Sequence, residues 1–223
     1  MDARYARNIP ALREDECALL RKKRVLVVGC GGLGGHLIDQ LARIGIGAIR
    51  AVDGDVFEPS NLNRQLLSNE SRLGVSKAKT AAEHIRLVNP DVEVQAVECF
   101  LTQDNAEDLL QNCDAVLDGL DNPESRKILA TACARKNIPY IYGAISGWVA
   151  QAAISMPGDG LIEQLYPENT IITDKSVLSF TPALCASLQT SLCVRLLVGR
   201  PVSTGTIYYF DLLNQEFEII PFN

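Results

Sequence analysis

The stretch "RVLVVGCGGLGG", residues 24–35, narrows the fold more than any other part of the chain. Its unbroken apolar run reads as a strand covered on both faces. It leads directly into the spacing G-x-G-x-x-G, carried by Gly29, Gly31 and Gly34 with Gly32 between them, and then into a helical pattern over 33–45. Strand, glycine turn and helix in that order let backbone N–H groups approach phosphate at a helix N-terminus. Short apolar runs and helical patterns then alternate. Strands are expected at "AIRAVD", "VEVQAVE", "DAVLDGL" and "IPYIYG", with helices at 76–89, "TQDNAEDLLQN" and "PESRKILATACARKN". This β/α alternation predicts an α/β fold, a Rossmann-like doubly wound and mostly parallel sheet.

The pattern changes in the last third. "GWVAQAAISM" alternates like an antiparallel strand, 166–180 has no clear element, "TPALCASLQTSLCVRLLVG" is a long helix, and "TGTIYYFDL" with "EFEIIPF" reads as a closing hairpin. With no repeat and no linker, one domain is expected. It comprises an N-terminal helical arm (1–23), a nucleotide-binding part (24–145) and an antiparallel extension (146–223) with a crossover loop at 166–180.

Composition excludes several functions. The net charge of −6 argues against a nucleic-acid surface built on bulk charge. No apolar run reaches the ~18 residues that span a bilayer, and the charged start "MDARYARNIPALREDE" has no secretory apolar core. A cytoplasmic protein is expected. The seven cysteines are scattered, and no two lie within four positions of each other. They read as free thiols rather than a zinc site. His36 and His84 sit in helical patterns, which argues against a histidine-based catalytic or metal centre.

The glycine turn and Asp53, a carboxylate placed to accept ribose hydroxyls, would by themselves suggest a nicotinamide cofactor. The segment "DGDVFEPSNLNRQLL" points elsewhere. It carries Asp55, Ser60, Asn61, Asn63, Arg64 and Gln65, and Lys77 follows in the first turn of a helix, where its charge opposes the helix dipole. An arginine and a lysine near a phosphate-binding turn suggest a triphosphate. Asp118 and Asp121 end the fourth strand, at the sheet edge where ligands sit. Asp121 reads either as a magnesium ligand or as a helix cap before "PESR", and Asn122 is able to take the capping role.

In these motifs the sequence resembles the ThiF/MoeB/HesA family, bacterial relatives of ubiquitin-activating enzymes. The resemblance rests on "RYARNIPAL", "VLVVGCGGLGG", "DGDVFEPSNLNRQ", "GVSKAKTAAEHIRLVNP", "VLDGLDNPESR" and "TPALCASLQTSLCVRLLVG", in order along nearly the whole chain. It implies an adenylyltransferase that uses ATP and Mg²⁺ to activate the C-terminal glycine carboxylate of a ubiquitin-like sulfur-carrier protein ending in Gly-Gly, with release of pyrophosphate. By motif, Asp53 binds ribose, Asn61, Arg64 and Lys77 hold phosphates, Asp121 binds Mg²⁺, and Arg7 reaches the partner's ATP across a homodimer. Asp55, Ser60, Gln65 and Asn122 complete the expected nucleotide-binding set. The Cys-x-x-Cys pairs that bind zinc in many members are missing, so zinc is not expected. The crossover loop has no cysteine, so adenylation without a covalent enzyme intermediate is expected. Alternatives within the fold are activation of a small-molecule or tRNA-borne carboxylate, as in a cyclising tRNA dehydratase, and a non-catalytic scaffold.

Overall fold

The computed structural model describes residues 3–168, 170 and 176–222. The N-terminal arm is a 3₁₀ turn, Ala3–Asn8, followed by helix α1, Glu14–Leu20. The β/α part follows as β1 (Arg24–Val28), α2 (Gly32–Ile44), β2 (Ala48–Val52), α3 (Lys77–Val88), β3 (Glu93–Val97), α4 (Ala106–Leu109), β4 (Ala115–Asp118), α5 (Pro123–Lys136) and β5 (Tyr140–Ser146). The remainder is β6 (Val149–Ser155), α6 (Leu161–Leu165), α7 (Phe180–Leu197), β7 (Thr206–Asp211) and β8 (Glu216–Pro221).

Among the described residues the strands form one eight-stranded sheet in the order β3-β2-β1-β4-β5-β6-β7-β8. β3 to β5 run parallel, and β5 to β8 pair antiparallel. The alternation within β1 explains its unbroken apolar run. Val25 and Val27 enter a core shared with α1, α2, α3 and α7, whereas Leu26 and Val28 enter a second core shared with α4, α5 and α6. A strand covered on both faces has no polar side to advertise. Helix α2 presents Leu37, Ile38 and Leu41 to the first core, all fully buried. Their spacing is that of one helical stripe, and each contributes about 1.5–3 kcal/mol by leaving water.

Two helix starts follow local chemistry closely. Ser76 caps α3 by accepting from the Lys79 N–H at 3.3 Å, and Asn122 caps α5 by accepting from the Ser125 N–H at 2.9 Å, with Pro123 at the first helical position. The helix expected at "TQDNAEDLLQN" shrinks to α4, a single turn. Thr102 and Asn105 spend their side chains on each other's backbone N–H groups (2.9 and 3.3 Å), and Asn112 turns left-handed at φ 60°. Short α6 was not expected at all. Of the 166–180 loop, residues 169 and 171–175 lie outside the described residues.

One exclusion drawn from the sequence is corrected by the structure. Helix α7 has 18 residues at mean hydropathy 1.2, long and apolar enough to cross a membrane by composition. Here it packs beside α2 against the sheet, with Ala186, Leu192, Cys193, Val194 and Leu197 in the first core. Its apolar composition answers to that core.

The C-terminal end of α7 also fastens the N-terminal arm. Arg200 donates twice to the buried Glu16 carboxylate, at 2.7 Å from Nε and from a terminal nitrogen, and also to the Ala11 carbonyl. The Arg200 guanidinium and the Arg13 N–H lower the Glu16 carboxyl from 4.5 to about 2. A depressed carboxylate contributes stability that is present above its unfolded value and lost as pH falls toward its folded one. Arg200→Gln is therefore expected to lower Tm near neutrality. The gap from wild type should narrow between pH 4.5 and about 2. Thermal melts across that window check this, and a gap that does not narrow across it contradicts it.

Candidate functional site

Sheet order reverses direction between β1 and β4, and there the backbone makes its closest approach. Gly29 follows β1 at φ +90°, a region L side chains rarely adopt, and a Cβ on it would fall on the Gly119 carbonyl after β4. A Cβ on Gly34 would collide with the Gly29 carbonyl, so the first turn of α2 sits flush on the turn itself. Gly34 therefore supports the turn and does not line the crevice. Gly29, Gly31 and Gly32 do line it.

The crevice is a cavity of about 630 Å³, within the usual range for small-molecule sites. On its β2 side the Asp53 carboxylate accepts from the Cys30 N–H (2.7 Å) and the Asp55 N–H (2.8 Å). These bonds tie the glycine turn to the end of β2. Burial raises the Asp53 carboxyl above the ordinary aspartate range, while the two N–H groups and Lys77 oppose the shift. Lys77 is buried, and its ammonium pairs with Asp55 at 3.2 Å. That pair offsets the unfavourable position of a lysine at the start of α3.

Arg64 and Gln65 close over the glycines. A Cβ placed on Gly32 would lie 3.9 Å from Arg64 Nε, and one on Gly31 would lie 3.4 Å from Gln65 Nε2. The Arg64 guanidinium donates to the Ser60 carbonyl and to Asn63 Oδ1, both at 2.8 Å. Among the described residues it has no carboxylate within ion-pairing distance. Gln65 is buried and its Oε1 has no hydrogen-bond partner there. An unpaired guanidinium and an unused buried acceptor beside bare backbone fit a site whose remaining partners come with a ligand.

Asn61, expected at the phosphates, and Ser60, expected in the nucleotide-binding set, do not line the cavity. Asn61 is buried in a 3₁₀ turn, Pro59–Asn61, where its side chain accepts from the Glu58 N–H at 3.0 Å. Its carbonyl accepts the Arg64 and Gln65 N–H groups at 3.2 and 3.0 Å. The pair thus shapes the turn that aims Arg64. Arg7 is exposed on the N-terminal 3₁₀ turn and does not line its own chain's cavity.

Opposite the glycines, Asp121 and Asn122 line the cavity after β4. Asn122 Oδ1 caps α5 and its amide donates to Asp121 Oδ1 at 3.2 Å, so the exposed Asp121 carboxylate is free of capping duty. Among the described residues no three His, Cys, Asp or Glu side chains cluster as a metal cage. One carboxylate facing a phosphate crevice suits magnesium, which takes one or two carboxylates plus phosphate oxygens.

Two groups of lining residues carry little signal in the sequence. Cys99, Phe100 and Leu101 follow β3 and line the β2 side, with the Phe100 ring over Gly54. Their signal is position: they follow a parallel strand's carboxyl end. The second group is a buried polar cluster, Asp118, Arg126, Tyr140, Tyr142 and Tyr166, of which Arg126, Tyr142 and Tyr166 reach the cavity wall. Asp118 at the end of an otherwise apolar strand was its one visible sign.

A ThiF family model matches residues 5–223. The SAMP-activating enzyme E1 of Haloferax volcanii is 32% identical over 228 residues, covering 98% of this chain and 84% of that protein. The probable adenylyltransferase/sulfurtransferase MoeZ of Mycobacterium tuberculosis is 34% identical over 232 residues. That match covers 98% of this chain but only 59% of MoeZ. Among solved structures, E. coli MccB with ATP superposes at TM-score 0.84 and 20% identity, covering all of this chain and 72% of that one. E. coli tRNA N6-threonylcarbamoyladenosine dehydratase, TcdA, superposes at 0.75 and 24% identity, covering 88% and 94%. At those identities the two structures speak for the fold alone. The family match runs from the buried Tyr5 to the end of the chain and takes in the glycine turn, the Arg64 segment and Asp121; this chain belongs to the ThiF family and is an enzyme of the adenylyltransferase type for which its relatives are named.

Proposed function

We propose that this protein adenylates the C-terminal glycine carboxylate of a small ubiquitin-like sulfur-carrier protein, using ATP and releasing pyrophosphate. The observation that carries this is the Arg64 guanidinium, unpaired by any described carboxylate and held over the glycine turn. Relatives named for SAMP activation and for combined adenylyltransferase and sulfurtransferase activity support the choice of acceptor. The seven free cysteines favour a reducing, cytoplasmic setting.

In the reaction, a carboxylate oxygen of the acceptor forms a bond to the α-phosphorus of ATP. The bond from that phosphorus to the bridging oxygen breaks, and pyrophosphate takes the electron pair. The attacking carboxylate is ionised at neutral pH, so no side chain needs to remove a proton. The chain's task is positioning and charge neutralisation. Arg64 and Lys77 neutralise phosphate oxygens, Gly31 and Gly32 allow the phosphates to approach backbone, and Asp53 accepts from the ribose hydroxyls. Asp121 would hold magnesium, which when bound supplies further neutralisation of the phosphates. Asp55 acts through Lys77, Asn61 and Ser60 act through Arg64, and Asn122 takes the capping role at α5 in place of Asp121.

The protein works as a homodimer in this reading, with Arg7 reaching the partner's nucleotide. The support is its exposed position on the N-terminal turn, away from its own chain's cavity.

ATP–pyrophosphate exchange against a panel of small proteins ending in Gly-Gly tests the acceptor. Exchange driven only by a small-molecule or tRNA-borne carboxylate would move the assignment to that substrate class. Arg64→Ala is expected to keep ATP affinity within a few-fold and to lower exchange by about 10²-fold or more. Undiminished exchange removes Arg64 from the catalytic account. For Arg7, the inactive Arg7→Ala and Arg64→Ala chains are mixed in equal amounts. Half of the dimers then pair the two variants, and each such dimer has one intact composite site of two, so about a quarter of wild-type exchange should return. No recovery means the site is built from one chain.

A further inference from the structure

The buried cluster below the cavity has no part in the chemistry above, yet it is assembled around the residue beside Asp121. Arg126, on α5, is 3% exposed. One terminal nitrogen donates to the Leu120 carbonyl at 2.7 Å and to the Gly143 carbonyl of β5 at 2.9 Å. The other donates to the Tyr166 hydroxyl. Its Nε lies 3.2 Å from Asp118 Oδ2. Asp118, fully buried, accepts from the Tyr140 hydroxyl at 2.7 Å and, through Oδ1, from the Leu120 N–H at 2.8 Å. Both backbone polar groups of Leu120 are thus held by one buried ion pair. The next residue is Asp121.

A burial of this kind is not explained by stability. A buried ion pair costs desolvation that its attraction roughly repays, and an apolar pair of similar volume serves a core as well. A guanidinium that spends several donors on main-chain carbonyls and a hydroxyl fixes geometry instead. Tyr166 extends the same clamp: its hydroxyl meets the Tyr142 hydroxyl at 2.8 Å, and Arg126 lies over both rings. Lys127, the next residue of α5, donates to the Pro167 carbonyl at 3.2 Å. α5 therefore grips two points at once, the Asp121 turn and the far wall of the cavity at Tyr166.

We propose that Arg126 is a positioning residue that sets the Asp121 carboxylate for magnesium, acting through the Leu120 backbone, with the Tyr166 hydroxyl holding the guanidinium in register. This rests on the assignment of Asp121 to magnesium made above. It places control of the metal in a side chain that never touches it. Partners one shell out from a ligand typically change metal affinity 10–100-fold when altered.

The test uses ATP binding by calorimetry on the full chain, in EDTA and in MgCl₂, and needs no acceptor protein. The readout is the ratio of the two dissociation constants, which reports the metal's contribution. Arg126→Lys keeps the charge and loses the fork. It is expected to leave metal-free ATP affinity within about twofold and to reduce the magnesium ratio by about tenfold. Tyr166→Phe, which keeps the packing, should reduce the ratio by about threefold, the scale of one hydrogen bond. Asp121→Asn should abolish the ratio, and adding Arg126→Lys to it should change nothing more, because both act through one group. Equal losses in EDTA and in magnesium, or additive effects of Arg126→Lys and Asp121→Asn, overturn the proposal and leave Arg126 a structural residue. Should Arg126→Lys fail to fold, the Tyr166→Phe ratio decides alone. A wild-type protein whose ATP affinity ignores magnesium sinks the Asp121 assignment itself, and the inference with it.

Discussion

Everything at the site depends on how closely the ends of β1 and β4 approach. Gly29 and Gly119 meet backbone to backbone, and Gly34 lets α2 rest on the same turn. No other residue fits at these contacts without moving main chain. The parallel sheet would exist without this closeness, because its two apolar cores are sufficient reason for it. The crevice would not. Crowding the backbone there leaves Gly31 and Gly32 bare toward the cavity, and the first N–H groups of α2, which have no acceptor inside the helix, are left for a ligand.

Charge is then distributed by need. The protein carries a net −6, yet on the glycine-turn side of its cavity Arg64 and Lys77 stand in different states. Lys77 is neutralised by Asp55, which keeps a buried ammonium tolerable before a ligand arrives. Arg64 is half-exposed and carries no carboxylate among the described residues, so its charge is available. A polyphosphate entering such a site gains one cation at once and competes with Asp55 for the other. Net acidity does not prevent this, because a low-dielectric pocket is governed by its own few charges.

Residues whose position is written in local spacing were legible. The glycine turn, Asp53, Arg64 and Lys77 could be placed because strand, turn and helix succeed one another in sequence, and each contributes from a fixed point of that unit. Residues whose role comes from a distant partner were not. Arg126 reads as one more polar residue in a helix. Its burial arises only when Tyr166, 40 positions away, closes over it. Asn61 shows the opposite case. Its place in a polar loop beside Arg64 suggested a ligand contact, but an asparagine there can serve the backbone equally well, and the Glu58 N–H claims it. α7 shows that composition alone cannot separate a membrane-length apolar helix from one enclosed by a sheet and two neighbours.

In the proposed reaction, the thiols bear on the fate of the acyl group after adenylation. Burial pushes Cys133, Cys185 and Cys193 up to about 12, and Cys30, inside the glycine turn itself, well above its ordinary value. At neutral pH a thiol near 12 is ionised to about one part in 10⁵, and each of these is packed out of reach of an acyl group in the cavity. The segment 166–180 contains no cysteine. Cys99 lines the cavity after β3, on the β2 side with Phe100 and Leu101. In the proposed reaction the buried thiols Cys30, Cys133, Cys185 and Cys193 are poorly suited to receive the acyl group. The mixed anhydride of the proposed reaction would keep its reactivity for a nucleophile delivered by another molecule, and the cavity wall between Asp121 and Tyr166 is the surface that would shield it from water until then.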